Sequence, residues 1–213
     1  MIMKQVPNLI TLARLILSVL AFVYMSEAIS SEPAYRSLNA FFAFWFFFIA
    51  AITDWLDGFL ARRYGWVSAF GRIADPVVDK VLILGSMAYL SASHPSLSYY
   101  GREGDWHVVM PVWAVVLCLG REFLVTALRG IVESEGKKFP ADVFGKAKMF
   151  SQALYIGIAL GAFGGIPEAL GMPFLDNLRN PTFFFSVFWL MISLTTLSGV
   201  NYCLRGAQLL RSS

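Results

Sequence analysis

Long apolar stretches alternate with short, turn-rich polar segments along the whole chain. Six of these stretches approach the roughly 20 residues that an α-helix needs to cross the hydrocarbon core of a bilayer. They cover residues 9–29, 38–61, 75–93, 107–129, 143–165 and 183–205. The pattern predicts an all-α polytopic membrane protein with six transmembrane helices. Because no connecting segment is long enough for a second domain, we expect residues 1–213 to form a single integral-membrane domain.

The composition agrees with a membrane location. The chain is 57% hydrophobic, has a mean hydropathy of +0.63 and contains 19 phenylalanines and 6 tryptophans. Only 15% of its residues are charged, against about 25% in a typical soluble domain. The two cysteines, Cys118 and Cys203, fall in apolar stretches, so a disulfide framework is not expected.

The distribution of basic residues predicts the orientation. With a cytoplasmic N-terminus, 14 of the 17 lysines and arginines fall on or near the cytoplasmic side. Arg36, Arg102 and Arg179 are the three that fall outside. Basic residues accumulate in cytoplasmic loops, so we predict a multi-pass protein of the cell (inner) membrane with both termini in the cytoplasm.

Four aspartates fall at the cytoplasmic ends of the second and third predicted helices: Asp54, Asp57, Asp75 and Asp79. Spacings of three and four residues place each pair on one helix face. Pro76 is expected near the start of the third helix, where its missing N–H costs little. Ionisable groups at this depth are expensive and indicate a functional site. Two antiparallel helices could bring all four carboxylates together.

Such a cluster needs positive charge, which could come from neighbouring arginines or from metal ions. Carboxylate oxygens suit Mg²⁺, Mn²⁺ or Ca²⁺ rather than zinc. Gly58, Ala61 and Gly71 would let a ligand approach closely, which favours a diphosphate. Two alternatives remain open at this point. One is ordinary helix packing by small residues beside a solvated charged loop, and the other is a cation transporter.

The spacing Asp54-x2-Asp57-Gly58-x2-Ala61-Arg62-x8-Gly71-x3-Asp75-x3-Asp79 resembles the signature of the CDP-alcohol phosphatidyltransferases. The resemblance implies that the four aspartates hold two divalent cations, Mg²⁺ or Mn²⁺, and that Asp79 is also the catalytic base. It implies a nucleotide and diphosphate slot lined by Gly58, Ala61, Arg62 and Gly71, and closed by Asn8 and Thr11. It also implies a six-helix fold that forms a homodimer, with its site open to the cytoplasm.

Further segments resemble the members of the family that use glycerol 3-phosphate as acceptor and CDP-diacylglycerol as donor. These segments are "VPNLITLARLILS", "GREFLVTALRGIVESEGKK", "FGKAKMFSQ" and "TLSGVNY". Met149 stands where those members usually have threonine. The implied partners are the two substrates and membrane lipid, with no nucleic acid. Inositol phosphate, serine and phosphatidylglycerol remain alternative acceptors.

An acceptor phosphate requires fixed positive charge. Arg121, Arg129 and Lys146 fall at the cytoplasmic ends of the fourth and fifth predicted helices, so we predict that they bind this phosphate. Arg121 lies well inside an apolar stretch, which is unusual for a residue that only sets orientation. The alternative is a structural pair with Glu122 or a purely topological role.

Overall fold

The computed structural model describes residues 6–30, 32–64, 69–92, 110–137, 139, 143–171 and 180–211. All regular secondary structure in these residues is helical, which confirms the predicted all-α class. The helices are α1 (Val6–Ser30), α2 (Pro33–Tyr64), α3 (Ala69–Ala92), α4 (Val112–Ser134), α5 (Val143–Phe163), α6 (Ile166–Leu170) and α7 (Pro181–Arg211).

Each of the six predicted stretches overlaps with one long helix, and among the described helices only the short α6 has no counterpart in the apolar pattern. The shortest of the long helices, α5, has 21 residues. It is therefore about 32 Å long, which matches a hydrocarbon core of about 30 Å. Within the described ranges, three helices are both long and continuously apolar enough to cross a membrane, in α1, α2 and α7.

The remaining long helices, α3, α4 and α5, are interrupted by charged residues. Examples are Asp79 and Lys80 in α3, Arg121 in α4 and Lys148 in α5. These charges lower the hydropathy of helices that are otherwise long enough to span. Six spans therefore remain a prediction, of which the three apolar helices account for half.

Several helices extend beyond the apolar stretches that predicted them. Helix α3 begins at Ala69, so Pro76 lies about two turns inside the helix and its expected position near the helix start was wrong. Apolar patterning marks only the immersed part of a helix, whereas the helix itself continues through residues such as Ala74. Helix α4 likewise continues to Ser134, and the chain turns at Gly136, whose φ of 75° suits glycine.

Helix α3 lies among three other helices in the bundle. Helix α1 packs against α2 and α3, α4 packs against α3 and α7, and α5 packs against α2, α3 and α7. The largest fully buried apolar side chains include Phe47, Met87, Tyr155 and Met191. Because α3 contacts α1, α4 and α5, a side chain in its first half can face residues from three other helices.

Helix α1 has a buried stripe with helical periodicity. The stripe begins with polar side chains, Thr11, Arg14 and Ser18, and continues with Ala21 and Met25. The opposite face exposes large apolar side chains, namely Leu12, Leu15, Ile16, Val19 and Val23. We infer that the exposed face contacts lipid, since a bilayer tolerates it and water does not. The polar end of the stripe faces the other helices.

Candidate active site

Asp54 of α2 is held by a buried arginine of α1. The Nη1 atom of Arg14 lies 2.6 Å from Oδ1 of Asp54, and the Arg14 side chain is completely buried. A buried guanidinium is tolerated when a carboxylate compensates its charge. From the sequence, Arg14 is only one of the 14 basic residues counted for the orientation, so this pair is a site feature that sequence reasoning missed.

Asp79 of α3 lies near Asp54. It is half-buried, and it interacts electrostatically with Asp54 of α2 and Arg14 of α1, and also with Lys148 of α5 and Glu122 of α4. Two of the four predicted metal-binding aspartates, one from each helix, are therefore close enough to interact. This is the arrangement that the spacing of the aspartates predicts for antiparallel α2 and α3.

The other predicted ligands and nucleotide-binding residues lie at helix positions whose side chains are outside the described part of the structure. They are Asn8 on α1, Asp57, Gly58, Ala61 and Arg62 on α2, and Gly71 and Asp75 on α3. Thr11 is described and is buried on α1, one turn before Arg14. Among the side chains that the structure describes, no three potential metal ligands form a group. The four-carboxylate site therefore stays a prediction.

The described donors nevertheless fit a hard divalent cation. Asp54 and Asp79 offer carboxylate oxygens, which Mg²⁺ and Mn²⁺ prefer. No lysine or arginine within the described ranges forms an ion pair with Asp79, whose side chain lines a cavity. A half-buried carboxylate that forms no direct ion pair with the described cations is a suitable metal ligand.

A cavity of about 360 Å³ opens beside Asp79, between α3, α4, α5 and α7. Its lining includes Arg121 and Arg129 from α4 and Lys146 from α5. The cavity thus unites Asp79 with all three residues predicted to bind an acceptor phosphate. Met149, the departure from the family pattern, lies in the same lining.

Three charged side chains form a buried cluster in the wall of this cavity. Oε1 of Glu122 accepts hydrogen bonds from Nη1 of Arg121 at 3.0 Å and from Nζ of Lys148 at 2.5 Å. Arg121 also donates to Oγ of Ser198 at 2.5 Å, and its guanidinium lies 5.3 Å from the ring centroid of Tyr202. The alternative of an Arg121–Glu122 pair is therefore observed, but the pair lies within the cavity lining.

Lys148 and its bond to Glu122 were not predicted. The two residues are 26 positions apart and belong to different helices, so their contact depends on how α4 and α5 are rotated. Lys148 stands two residues after Lys146, and it is buried whereas Lys146 is exposed. The sequence did contain one signal for this bond: Lys148 lies among apolar residues of α5, and a lysine inside such a stretch needs a partner of opposite charge.

Two arginine nitrogens in the lining remain available to a ligand. Nε of Arg121 and Nε of Arg129 are buried and have no hydrogen-bond partner among the described residues. Buried donors that lack a partner are costly, and a phosphate oxygen would supply one. The cavity can therefore bind an anion beside Asp79, a carboxylate that suits a divalent cation.

Comparisons with known proteins agree with this arrangement. A family model described as CDP-alcohol phosphatidyltransferase matches residues 4–198. A Bacillus subtilis (strain 168) protein named CDP-diacylglycerol–glycerol-3-phosphate 3-phosphatidyltransferase is 28% identical over 221 residues, covering 99% of this chain and 100% of the relative. Proteins of the same name from Rickettsia typhi (29% identity; 94% and 96% covered) and Salmonella choleraesuis (34% identity; 70% and 72% covered) are also similar.

Proposed function

The chain belongs to the CDP-alcohol phosphatidyltransferase family, and from this premise we propose that it transfers the phosphatidyl group of CDP-diacylglycerol to glycerol 3-phosphate. The products are phosphatidylglycerophosphate and CMP. The shared name of the three similar proteins supports this choice of substrates. The observation that carries the proposal is the cavity, which sets Asp79 beside Arg121, Arg129 and Lys146.

The reaction forms one phosphorus–oxygen bond and breaks another. A hydroxyl oxygen of glycerol 3-phosphate attacks the phosphorus that carries the diacylglycerol, and the bond from this phosphorus to the CMP oxygen breaks. The hydroxyl proton must leave as the new bond forms, and a carboxylate within reach can accept it. We assign that role to Asp79, because its side chain faces the cavity that would hold the acceptor.

The proposal also includes a role for Asp79 in metal binding. The family is generally dependent on divalent cations, and we assign two Mg²⁺ or Mn²⁺ ions to Asp54, Asp57, Asp75 and Asp79. Bound there, such ions would neutralise the diphosphate and the departing CMP. Arg14 pairs with Oδ1 of Asp54 and so restricts the orientation of this carboxylate. Asn8, Thr11, Gly58, Ala61, Arg62 and Gly71 are assigned to the nucleotide and diphosphate slot.

The acceptor phosphate is assigned to the basic part of the cavity. Arginine binds phosphate through several directed N–H groups, while lysine contributes a point charge. Arg121 and Arg129 each have a buried Nε available, and Lys146 adds an exposed ammonium at the lining. This concentration of cations favours a phosphorylated acceptor over serine. Glycerol 3-phosphate and inositol phosphate both satisfy it.

The protein is a membrane protein, and we also assign its domain extent, its membrane, its oligomeric state and its orientation. We propose that residues 1–213 form one domain, that the protein resides in the cell (inner) membrane as a homodimer, and that its cavity opens toward the cytoplasm. The 14 to 3 distribution of basic residues supports this orientation. A cytoplasmic opening would give glycerol 3-phosphate direct access while CDP-diacylglycerol enters from the lipid.

An acceptor panel tests the proposal. Purified protein would receive CDP-diacylglycerol, Mg²⁺ and one radiolabelled acceptor at a time: glycerol 3-phosphate, inositol phosphate, serine or phosphatidylglycerol. We expect a labelled lipid chiefly from glycerol 3-phosphate. Labelled lipid from inositol phosphate alone would overturn the acceptor while leaving the family chemistry intact. Absence of CMP release with every acceptor would favour the cation transporter instead.

A further inference from the structure

Glu122 occupies a central position among the charges that line the cavity. One oxygen of its carboxylate bonds to cations from two helices, Arg121 of α4 and Lys148 of α5. All three side chains are largely buried, with 14%, 9% and 5% exposed for Glu122, Arg121 and Lys148. Ion pairs at this burial hold a fixed geometry, because neither partner can exchange its bond for water.

The Glu122–Lys148 bond links two helices across the lining. Helices α4 and α5 each pack against α3 and α7, and both glutamate and lysine line the cavity between them. Arg121 is anchored at its other end by Ser198 of α7. Glu122 therefore fixes where the two cations stand relative to each other.

The charge balance of the lining depends on the same carboxylate. Described basic residues in the lining outnumber the acidic ones, which are Asp79 and Glu122. Without Glu122, Arg121 and Lys148 would be buried like charges and would repel each other. Lys148 also interacts electrostatically with Asp79. It would then be drawn toward the residue that we assign as the base.

We propose that Glu122 is a positioning residue of the acceptor site: bonded to both Arg121 and Lys148, it holds Arg121 in the orientation that receives the acceptor phosphate. This inference rests on the proposed function and deepens it. Glu122 itself does not contact substrate, since its carboxylate would repel the phosphate. It acts through Arg121, whose orientation determines how well the phosphate is bound, and Lys148 keeps Glu122 in place.

Steady-state kinetics of Glu122→Gln test the proposal. Glutamine keeps the size of the side chain and one acceptor oxygen but removes the charge that pairs the two cations. We expect the KM for glycerol 3-phosphate to rise by about tenfold or more, since misplacing one charge-assisted contact is enough for that change. The KM for CDP-diacylglycerol should be unchanged. Glu133→Gln, an exposed glutamate of the same helix, is the matched control and should leave both constants unchanged.

Two further variants separate positioning from a structural role. Glu122→Asp keeps the charge and should retain part of the acceptor affinity, giving a KM between wild type and Glu122→Gln. Lys148→Met removes one of the paired cations. The effect of Glu122→Gln on acceptor KM should therefore be smaller in that background than in wild type, which a double-mutant cycle measures.

The outcomes are distinct because KM does not depend on how much of the enzyme is folded. Loss of folded protein and of kcat in Glu122→Gln, with an unchanged acceptor KM, would overturn the positioning role and leave a structural one. Additive effects of the Glu122 and Lys148 substitutions would also overturn it. Wild-type enzyme that makes no lipid from glycerol 3-phosphate would overturn the proposed function first, and this inference with it.

Discussion

Arg14 and Asp54 illustrate, at the scale of single residues, how charge is accommodated in an otherwise apolar helix pair. The arginine is fully buried and lies 2.6 Å from its carboxylate partner. The spacing of the aspartates identified Asp54 from the sequence, because the residues of that motif are close to one another along the chain. The partner could not be identified in that way, since it depends on the rotation of α1 against α2.

Substitution of the aspartates tests the metal assignment. Single changes of Asp54, Asp57, Asp75 or Asp79 to asparagine keep the size of the side chain and remove its charge. We expect turnover to fall by about two to four orders of magnitude for Asp79, in line with loss of a general base, and strongly for the other three. Circular dichroism should show that each variant remains helical.

Removal of the metal should have the same consequence in the wild-type protein. A chelator should abolish activity, and excess Mg²⁺ or Mn²⁺ should restore it, because carboxylate oxygens bind these ions reversibly. Full activity in excess chelator would refute the two-metal assignment. That result would not change the assignment of the acceptor phosphate site.

Substitution of the phosphate-binding residues tests the acceptor assignment. Arg129→Ala and Lys146→Ala each remove a cation from the cavity lining. A charge-assisted hydrogen bond contributes about 1.5–3 kcal/mol, so the KM for glycerol 3-phosphate should rise about tenfold to a hundredfold. CDP-diacylglycerol use should change little, because the acceptor phosphate is remote from the reacting phosphorus.

Arg211→Ala is the control for these two variants. Arg211 is an exposed basic residue in the last turn of α7 and does not line the cavity. Its removal should leave both Michaelis constants at wild-type values. If Arg129→Ala and Lys146→Ala also keep the wild-type acceptor KM, the phosphate binds elsewhere.

At the scale of helices, one glycine determines how closely α2 approaches the end of α5. A Cβ atom added to Gly164 would lie 2.7 Å from both the backbone nitrogen and the Cα atom of Phe41. Backbone atoms cannot move aside as a flexible side chain can. Gly164→Ala should therefore force the two elements apart, and overpacking of this kind lowers the free energy of unfolding by about 1–3 kcal/mol.

Gly157→Ala provides the matched comparison within α5. A Cβ added at Gly157 meets no atom within 4 Å, and alanine favours a helix over glycine by about 0.5–1 kcal/mol. Thermal unfolding in detergent should show a lower midpoint for Gly164→Ala and an unchanged or higher one for Gly157→Ala. Equal midpoints for the two variants would contradict the close approach.

The helices also show which features of the fold the apolar pattern predicts and which it does not. It located all six long helices, because an immersed helix must be apolar over most of its length. It misplaced the start of α3, since residues 69–74 are helical without being part of the apolar stretch. Apolar patterning also did not predict the cluster of Arg121, Glu122 and Lys148. A pattern along one helix contains no information about contacts with a neighbouring helix.

For the molecule as a whole, orientation in the membrane is the property on which access to substrates depends. Cysteine accessibility tests it in a protein whose Cys118 and Cys203 are replaced by alanine. A membrane-impermeant thiol reagent should label a cysteine placed at Ser96 from outside the cell and should not label one placed at Ser134, at the end of α4. The reverse pattern would put the cavity on the outer side, away from a cytoplasmic acceptor.

The central claim is a transfer of phosphatidyl from CDP-diacylglycerol to glycerol 3-phosphate, and the stoichiometry of the purified enzyme tests it most directly. The measurement compares CMP released with labelled glycerol 3-phosphate incorporated into lipid in the same reaction. The account predicts that the two amounts are equal and that both vanish when either substrate is omitted. CMP released without incorporation of the label would contradict it, because the phosphatidyl group would then have gone to water or to another acceptor.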